Sequence, residues 1–171
     1  YSLFGSHLQQ DGWRDHSAVQ NIFSQAKLNF RTSADSDLMV VFREFYSPLS
    51  KDPGALTSAE VHANPRQASA RNVQFNAGEE IRQEEIGMRF RNRFSGGKEF
   101  TATTYLLHRD FQNRQAFFDG GQVQFDRWVG GLMLQFVNDH ILFHRPNRFL
   151  MGVDYGIQND DRQRFDNNFG R

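Results

Sequence analysis

The sequence predicts an all-β fold, an antiparallel up-and-down meander of about seven long strands. The segment Ile86–Phe94 alternates with a period of two residues, which places apolar side chains on one side and arginines on the other. No segment keeps a helical period over its whole length. Phenylalanine is abundant, with 18 copies, whereas apolar residues make up only 38% of the chain. Together these features favour a thin sheet with one apolar and one polar face over a thick two-layer core.

The strands are predicted from alternating runs that lie between turn-forming clusters. The second strand alternates most regularly, because Ile22, Ala26, Leu28 and Phe30 share one face. Runs of about 10–12 residues are long for the sheets of soluble proteins, but they match a tilted crossing of a bilayer. The predicted strands cover residues 1–10, 21–31, 37–47, 81–94, 99–110, 122–136 and 148–158.

One short helix is predicted between the third and fourth strands, within Leu56–Ala68. Thr57 or Ser58 can cap its start through a side-chain oxygen, and Pro65 can end it because proline has no backbone N–H. The helix therefore belongs to the long connection from Ser47 to Glu80.

Composition and charge narrow the function classes. The chain of 171 residues is long enough for one domain, and 1–171 is taken as a single unit. It carries 20 basic and 20 acidic residues, so no net charge attracts it to nucleic acids. It has no cysteine, which excludes disulfides, thiolate metal sites and cysteine nucleophiles. No run of about 18 apolar residues is present, so no transmembrane helix is predicted.

The predicted connections alternate in length along the chain. Long polar segments follow strands one, three and five, whereas tight turns join strand two to three and strand four to five. The connection between strands six and seven, Asn138–Asn147, is predicted to be intermediate in length. The long connections therefore lie at one end of the sheet, as in outer-membrane barrels with short turns on one side and long external loops on the other.

Phenylalanines mark the short-turn end of the strands, at Phe30, Phe94, Phe100, Phe136 and Phe149. Aromatic residues at strand ends are typical of the girdle that a barrel places at a membrane interface. The alternative is a ring of phenylalanines that closes the bottom of a soluble β-barrel. The first interpretation predicts that the seven strands form part of a large transmembrane β-barrel.

Arg89, Arg91 and Arg93 repeat on one face of the fourth strand. Because burial of an unpaired charge is very costly, this face needs water or acidic partners. Glu85 lies in the same phase and is predicted to pair with Arg89 along the strand. A wide lumen, filled with water or with a plug, accommodates such a face. The alternative is a soluble sandwich or barrel that has its arginines outside and binds an apolar ligand inside.

Five segments that follow one another along the chain carry a resemblance to a known family. The sequence resembles the TonB-dependent outer-membrane receptors, in particular the siderophore and iron-complex receptors. Each segment is short, but together they extend over nearly the whole chain in the order expected for the family. They are "DGWRDHS" (Asp11–Ser17), "DPGALTSAEVHANPRQA" (Asp52–Ala68), "YLLHRDFQNRQAF" (Tyr105–Phe117), "FDRWVGG" (Phe125–Gly131) and "FLMGVDYGIQNDDRQRFDNN" (Phe149–Asn168).

The resemblance implies a barrel of about 22 strands with an N-terminal plug, of which residues 1–171 would be an internal third that lacks the plug and the closing strands. The implied function is uptake of an iron–siderophore or similar complex across the cell outer membrane of a Gram-negative bacterium. TonB would drive this transport by acting on the plug. The implied partners are TonB, the ferric ligand and outer-membrane lipid, with no catalysis, no cofactor and no nucleic acid.

Four side chains are candidates for contact with the transported ligand. Trp13, Arg14 and His16 lie in the first external loop, and Arg109 lies at the top of the fifth strand. Trp13 offers a flat apolar surface, and Arg14 offers a positive charge for an anionic ligand. Packing within the loop is the alternative role for the residues of the first loop.

A second group of side chains is predicted to face the lumen. Glu85, Arg89, Arg91 and Arg93 share one strand face, and the arginines are expected to contact carboxylates of the plug. 

His140 and His144 have the spacing of two metal ligands on a helix. Only Asp139 lies close enough to be a third ligand, and Pro146 favours a turn. No metal site is therefore predicted.

Overall fold

One sheet of seven antiparallel strands dominates the computed structural model, which describes residues 1–170. Each strand pairs with its neighbour in the sequence, so the sheet is an up-and-down meander and the predicted fold class is confirmed. The strands are β1 (Ser2–Gln10), β2 (Val19–Arg31), β3 (Ser36–Lys51), β4 (Gly78–Phe94), β5 (Lys98–Arg114), β6 (Gln122–Leu142) and β7 (Arg145–Phe165).

Two short helices, α1 (Ser58–Ala63) and α2 (Ala70–Gln74), lie in the connection between β3 and β4. The first was predicted from its cap and its proline stop, whereas the second carries no side-chain cap and was missed. Within residues 1–170 no helix is both long enough and apolar enough to cross a membrane.

The ends of α1 follow from local chemistry. Thr57 Oγ1 accepts a hydrogen bond from the Glu60 backbone N–H, and the Glu60 carboxylate accepts one from the Thr57 backbone N–H. The backbone N–H and hydroxyl of Thr57 together lower the pKa of Glu60 below its ordinary value. The helix ends at Ala63, earlier than predicted, because Asn64 precedes Pro65 and takes an extended backbone.

The connections alternate in length as predicted. At one end of the sheet, the long-loop end, the connections comprise residues 11–18, 52–77 and 115–121. At the other end, the short-turn end, they comprise residues 32–35, 95–97 and 143–144.

The prediction of an intermediate connection between strands six and seven is wrong. β6 continues to Leu142 and β7 begins at Arg145, so only Phe143 and His144 turn the chain. Both residues have positive φ, 49° and 60°, as a type I′ turn requires. The usual sequence signal for this turn is Asn-Gly, and its absence is the reason that the strands were predicted to end too early.

The hydrogen-bond register divides the side chains of the sheet between two faces. The face that carries Ile86, Met88 and Phe90 is called the apolar face, and the face that carries Arg89 and Arg91 is called the arginine face. One row across the apolar face joins Phe30, Leu38, Phe90, Ala102, Leu134 and Val153.

The apolar residues drift diagonally across these rows. In β2, Phe30 is the last apolar residue of this face before the short-turn end. In β7, Val153 stands in the same row, but Met151 and Phe149 continue the apolar run nearer to that end. A drift of about four residues, or about 13 Å, over about five strand steps, or about 24 Å, corresponds to a tilt of about 30°, slightly below the usual tilt in closed barrels. The register therefore has the stagger of a tilted strand array.

On the arginine face, Tyr105 lies in a row whose other positions on the neighbouring strands are glycines. Gly87 and Gly131 are its register partners, and Gly156 is opposite Gly131. A Cβ atom at Gly131 would lie 2.5 Å from Cε1 of Tyr105, a distance that real Cβ atoms do not adopt. Glycine is therefore required at position 131 by the close approach of the tyrosine ring.

We expect Gly131→Ala in the intact protein to displace the Tyr105 ring and to lower the free energy of unfolding by about 1–3 kcal/mol. Gly156→Ala is the matched control, because the nearest atom to a Cβ there is 3.8 Å away, an ordinary contact. Thermal unfolding in detergent measures both variants. An unchanged Tm for Gly131→Ala would contradict the packing described here.

Candidate functional site

The apolar face is bare. Met88 is 41% exposed, Phe90 37% and Leu106 46%, although all three lie on central strands of the sheet. The soluble alternative needs a second layer of apolar side chains over this face. In the part of the chain that the structure describes, no such layer is present.

Ion pairs that run from strand to strand cover much of the arginine face. Nε and Nη2 of Arg91 donate to Oδ2 of Asp37 at 3.0 and 2.9 Å. Arg93 lies 3.5 Å from the same carboxylate. Arg127 makes two hydrogen bonds to Asp160, at 2.8 and 2.6 Å. Charges on this face therefore find their partners on neighbouring strands.

The predicted pairing of Glu85 with Arg89 is wrong. Glu85 lies on the same face as Arg89, but its carboxylate accepts a hydrogen bond from Nη1 of Arg43 at 3.1 Å. Arg43 is directly opposite Glu85 in the register. Residues that are opposite across strands lie about 5 Å apart, whereas residues four apart along a strand are separated by about 13 Å. Identifying the partner required the register, which a single strand does not give.

Arg89 differs from its neighbours on the same face. Its Nε is buried and has no hydrogen-bond partner within residues 1–170. Its register partners are Met39 and Thr103, and neither supplies a charge. This guanidinium group is therefore incompletely satisfied by the described residues.

A charged border, made of Glu44, Arg82, Glu84, His108 and Asp126, limits the apolar face toward the long-loop end. Its members contact one another across strands. Arg82 lies 3.6 Å from Glu44 on β3, and Nε2 of His108 lies 2.7 Å from Asp126 on β6. No local sequence pattern marks this border, because its members come from four different strands.

Arg14 links two of the long connections through hydrogen bonds. Its guanidinium donates to the backbone carbonyls of Gly54 at 2.7 Å, Gln67 at 3.0 Å and Pro53 at 3.2 Å. These contacts join residues 11–18 to the connection that carries α1 and α2. The guanidinium thus has a structural role, and its contact with a ligand stays a prediction.

The other two candidates of the first loop differ in exposure. Nε2 of His16 lies 2.9 Å from the carbonyl oxygen of Ala77, so this side chain also joins the two connections. Trp13 is 62% exposed and presents most of its indole to solvent. Its contact with a ligand likewise stays a prediction.

A buried asparagine that was not predicted joins three segments at the long-loop end. Asn167 is fully buried, and its Nδ2 donates to the carbonyls of Phe75 at 2.9 Å and Gln115 at 2.8 Å. Its Oδ1 accepts from the Gly170 backbone N–H at 2.8 Å. No local pattern marks this residue, because its partners lie far away in the sequence.

The remaining candidates lie apart from this cluster of loops. Nε of Arg109 donates to Oε1 of Gln83 at 2.8 Å on the arginine face. His140 lies in β6, and His144 lies in the turn that follows it. Over residues 1–170, no group of three histidine, aspartate or glutamate side chains is placed to hold a metal ion.

Long tilted strands, alternating connection lengths and a bare apolar face define a segment of the wall of a large β-barrel. No family model matches the sequence. Among solved structures, the chain is similar to the crystal structure of the ferric citrate transporter FecA in its unliganded form. The TM-score is 0.77 at 15% sequence identity, over 95% of this chain and 24% of the transporter chain. The chain thus has the fold of a segment about a quarter as long as that protein.

We expect Arg14→Ala to release the connection of residues 52–77 from the first loop, because three hydrogen bonds to carbonyls are lost. Limited proteolysis of the intact protein should then cut this connection several-fold faster. Arg71→Ala is the matched control, since Arg71 is an exposed arginine in the same connection. Equal cutting rates for the two variants would show that Arg14 does not hold the loops together.

Proposed function

We propose that this chain is part of the barrel wall of a TonB-dependent outer-membrane receptor that imports a ferric complex. The observation that carries the proposal is the bare apolar face, staggered from strand to strand. In β7 the apolar run extends from Phe149 to Ile157. About 9 residues at 3.3 Å each, tilted by about 40°, cover roughly 20 Å along the membrane normal, close to the apolar band of outer-membrane barrels.

The arginine face lines the lumen in this proposal. The strand-to-strand ion pairs keep the charges of Arg91 and Arg93 paired beside water, whereas Arg89 has no carboxylate partner within residues 1–170. A carboxylate of the plug is the natural partner, because a guanidinium binds a carboxylate through two parallel hydrogen bonds.

The long-loop end faces the cell exterior and meets the ligand. Arg14 and His16 hold the loops in place, and the exposed indole of Trp13 offers the contact surface. The similarity to a ferric citrate transporter supports a ferric complex as the cargo class.

The first test places single cysteines at Phe90 and Arg91 in the complete protein in membranes. We expect position 90 to react only with a lipid-soluble reagent and position 91 only with a water-soluble one, because adjacent strand residues face opposite sides. This chain has no cysteine of its own, which keeps the background low. Protection of position 90 from both reagents in a soluble protein would favour the soluble alternative instead.

Transport itself needs a separate measurement. Cells that lack the complete receptor are expected to lose uptake of one radiolabelled ferric complex, tested with ferric citrate and a panel of ferric siderophores. Loss of TonB should give the same defect, because the proposed transport depends on that energy source. Normal uptake of every ferric complex in the receptor deletion would overturn the transport proposal while leaving the membrane topology intact.

A further inference from the structure

The hairpin between β6 and β7 projects beyond the rest of the sheet at the short-turn end. The last residue pair between β5 and β6 at this end is Lys98 with Asn138. The pairing of β6 with β7 continues for four more pairs, to Leu142 with Arg145. Residues 139–148 therefore form a two-stranded ribbon, called here the hairpin tip, and no other strand within residues 1–170 pairs with it.

The turn of the hairpin tip uses residues that disfavour its backbone. Phe143 and His144 have φ of 49° and 60°, a region that bulky side chains rarely adopt. Asparagine and glycine are the usual residues of such a turn. Strain of this kind persists where the side chain serves another purpose, so the two residues call for a reason beyond the turn itself.

Apolar side chains cover the tip on both sides and are exposed. Phe143 is 87% exposed, Ile141 77% and Leu142 46%. The register places Leu142 on the apolar face, and it places Ile141 with Pro146 on the arginine face. Single exposed apolar residues are common, but three consecutive ones at the end of a projecting ribbon indicate a surface that enters an apolar environment.

The charge of the hairpin tip is positive. Arg148 lies 3.4 Å from Asp139, which balances one charge. Among the described residues, Arg145 has no carboxylate partner, and it lies opposite Leu142 on the apolar face. An apolar end with an adjoining arginine is complementary to a layer of anionic headgroups above hydrocarbon.

We propose that the hairpin tip docks into the anionic phospholipid headgroups on the short-turn side of the membrane. Phe143 and Leu142 enter the layer, and Arg145 contacts the phosphates. This inference rests on the proposed membrane barrel. Strands tilted by about 40° place the tip roughly 10 Å beyond Phe149 along the membrane normal, at the outer part of the headgroup layer.

The test uses the complete receptor in nanodiscs, with an environment-sensitive fluorophore on Phe143→Cys. The nanodiscs contain phosphatidylcholine with or without phosphatidylglycerol. A fraction of the lipids carries a nitroxide on the headgroup, which quenches a fluorophore that lies close to it. We expect quenching at position 143 to rise with the phosphatidylglycerol content. Ser95→Cys is the matched control, because Ser95 lies in the short turn between β4 and β5 at the same end of the sheet.

Arg145→Gln should reduce the effect of phosphatidylglycerol on quenching at position 143 about fivefold. This is the contribution to binding that is expected from one arginine near an anionic surface. A label at position 143 that stays in water in both lipid mixtures overturns the proposal. A label that is shielded but not quenched also overturns it, since the tip then docks on protein. If position 90 faces lipid while position 143 stays in water, this inference fails and the barrel proposal stands.

The double variant Phe143→Asn with His144→Gly separates a structural role from lipid binding. It supplies the preferred turn residues, so Tm is expected to stay equal or to rise. Quenching of a fluorophore on Leu142→Cys should fall in this background, because the inserted phenylalanine is missing. Unchanged quenching would show that Phe143 does not anchor the tip, and the proposal would be withdrawn.

Discussion

The backbone ladder from β1 to β7 is the constraint on which the rest of this structure depends. Each strand donates and accepts backbone hydrogen bonds with its neighbours, so the backbone polar groups inside the sheet are satisfied without water. Hydrocarbon offers no hydrogen bonds, and only a helix or a closed sheet tolerates it. Within the described residues β1 and β7 each have one unpaired edge, so a membrane setting requires further strands beside both.

The apolar core is too small to explain the stability of such a sheet. Among the described residues, the apolar side chains that are buried are Val41, Phe75, Ala77, Val123 and Val137. Hydrophobic burial usually dominates folding in water, and here most large apolar side chains remain on the surface. The free energy of their transfer is gained only when another apolar phase covers them. The bare face therefore needs an apolar environment, which lipid would supply in the proposed barrel.

Local patterns predicted the features that depend on neighbours in the sequence. The alternation in Ile86–Phe94 predicted β4, and Thr57 with Pro65 predicted α1, because each signal lies within a few residues of its effect. The alternation of long and short connections was likewise visible, since it needs only the strand order. These features contain no long-range information, so one sequence was enough.

Features that depend on register or on distant loops could not be predicted. Glu85 has its partner 42 residues away, and Asn167 contacts a carbonyl 92 residues away. The Phe143–His144 turn was not predicted for a different reason. Turns of this type prefer asparagine and glycine, and neither residue is present at these two positions. The two faces of β4 were thus predicted from its alternation, while the pairings of its charged side chains came only from the register.

The long-loop end shows how a protein without a large core fixes its loops. Arg14 and Asn167 each bind backbone carbonyls from other segments, and neither contact is an ion pair. Exposed ion pairs contribute little and weaken with salt, whereas a hydrogen bond from a guanidinium to a neutral carbonyl needs no opposite charge. The long connections are thereby held by contacts that do not depend on an opposite charge. In the proposed receptor, ligand recognition and loop packing can therefore use different side chains. The indole of Trp13 is exposed, whereas the guanidinium of Arg14 donates to backbone carbonyls.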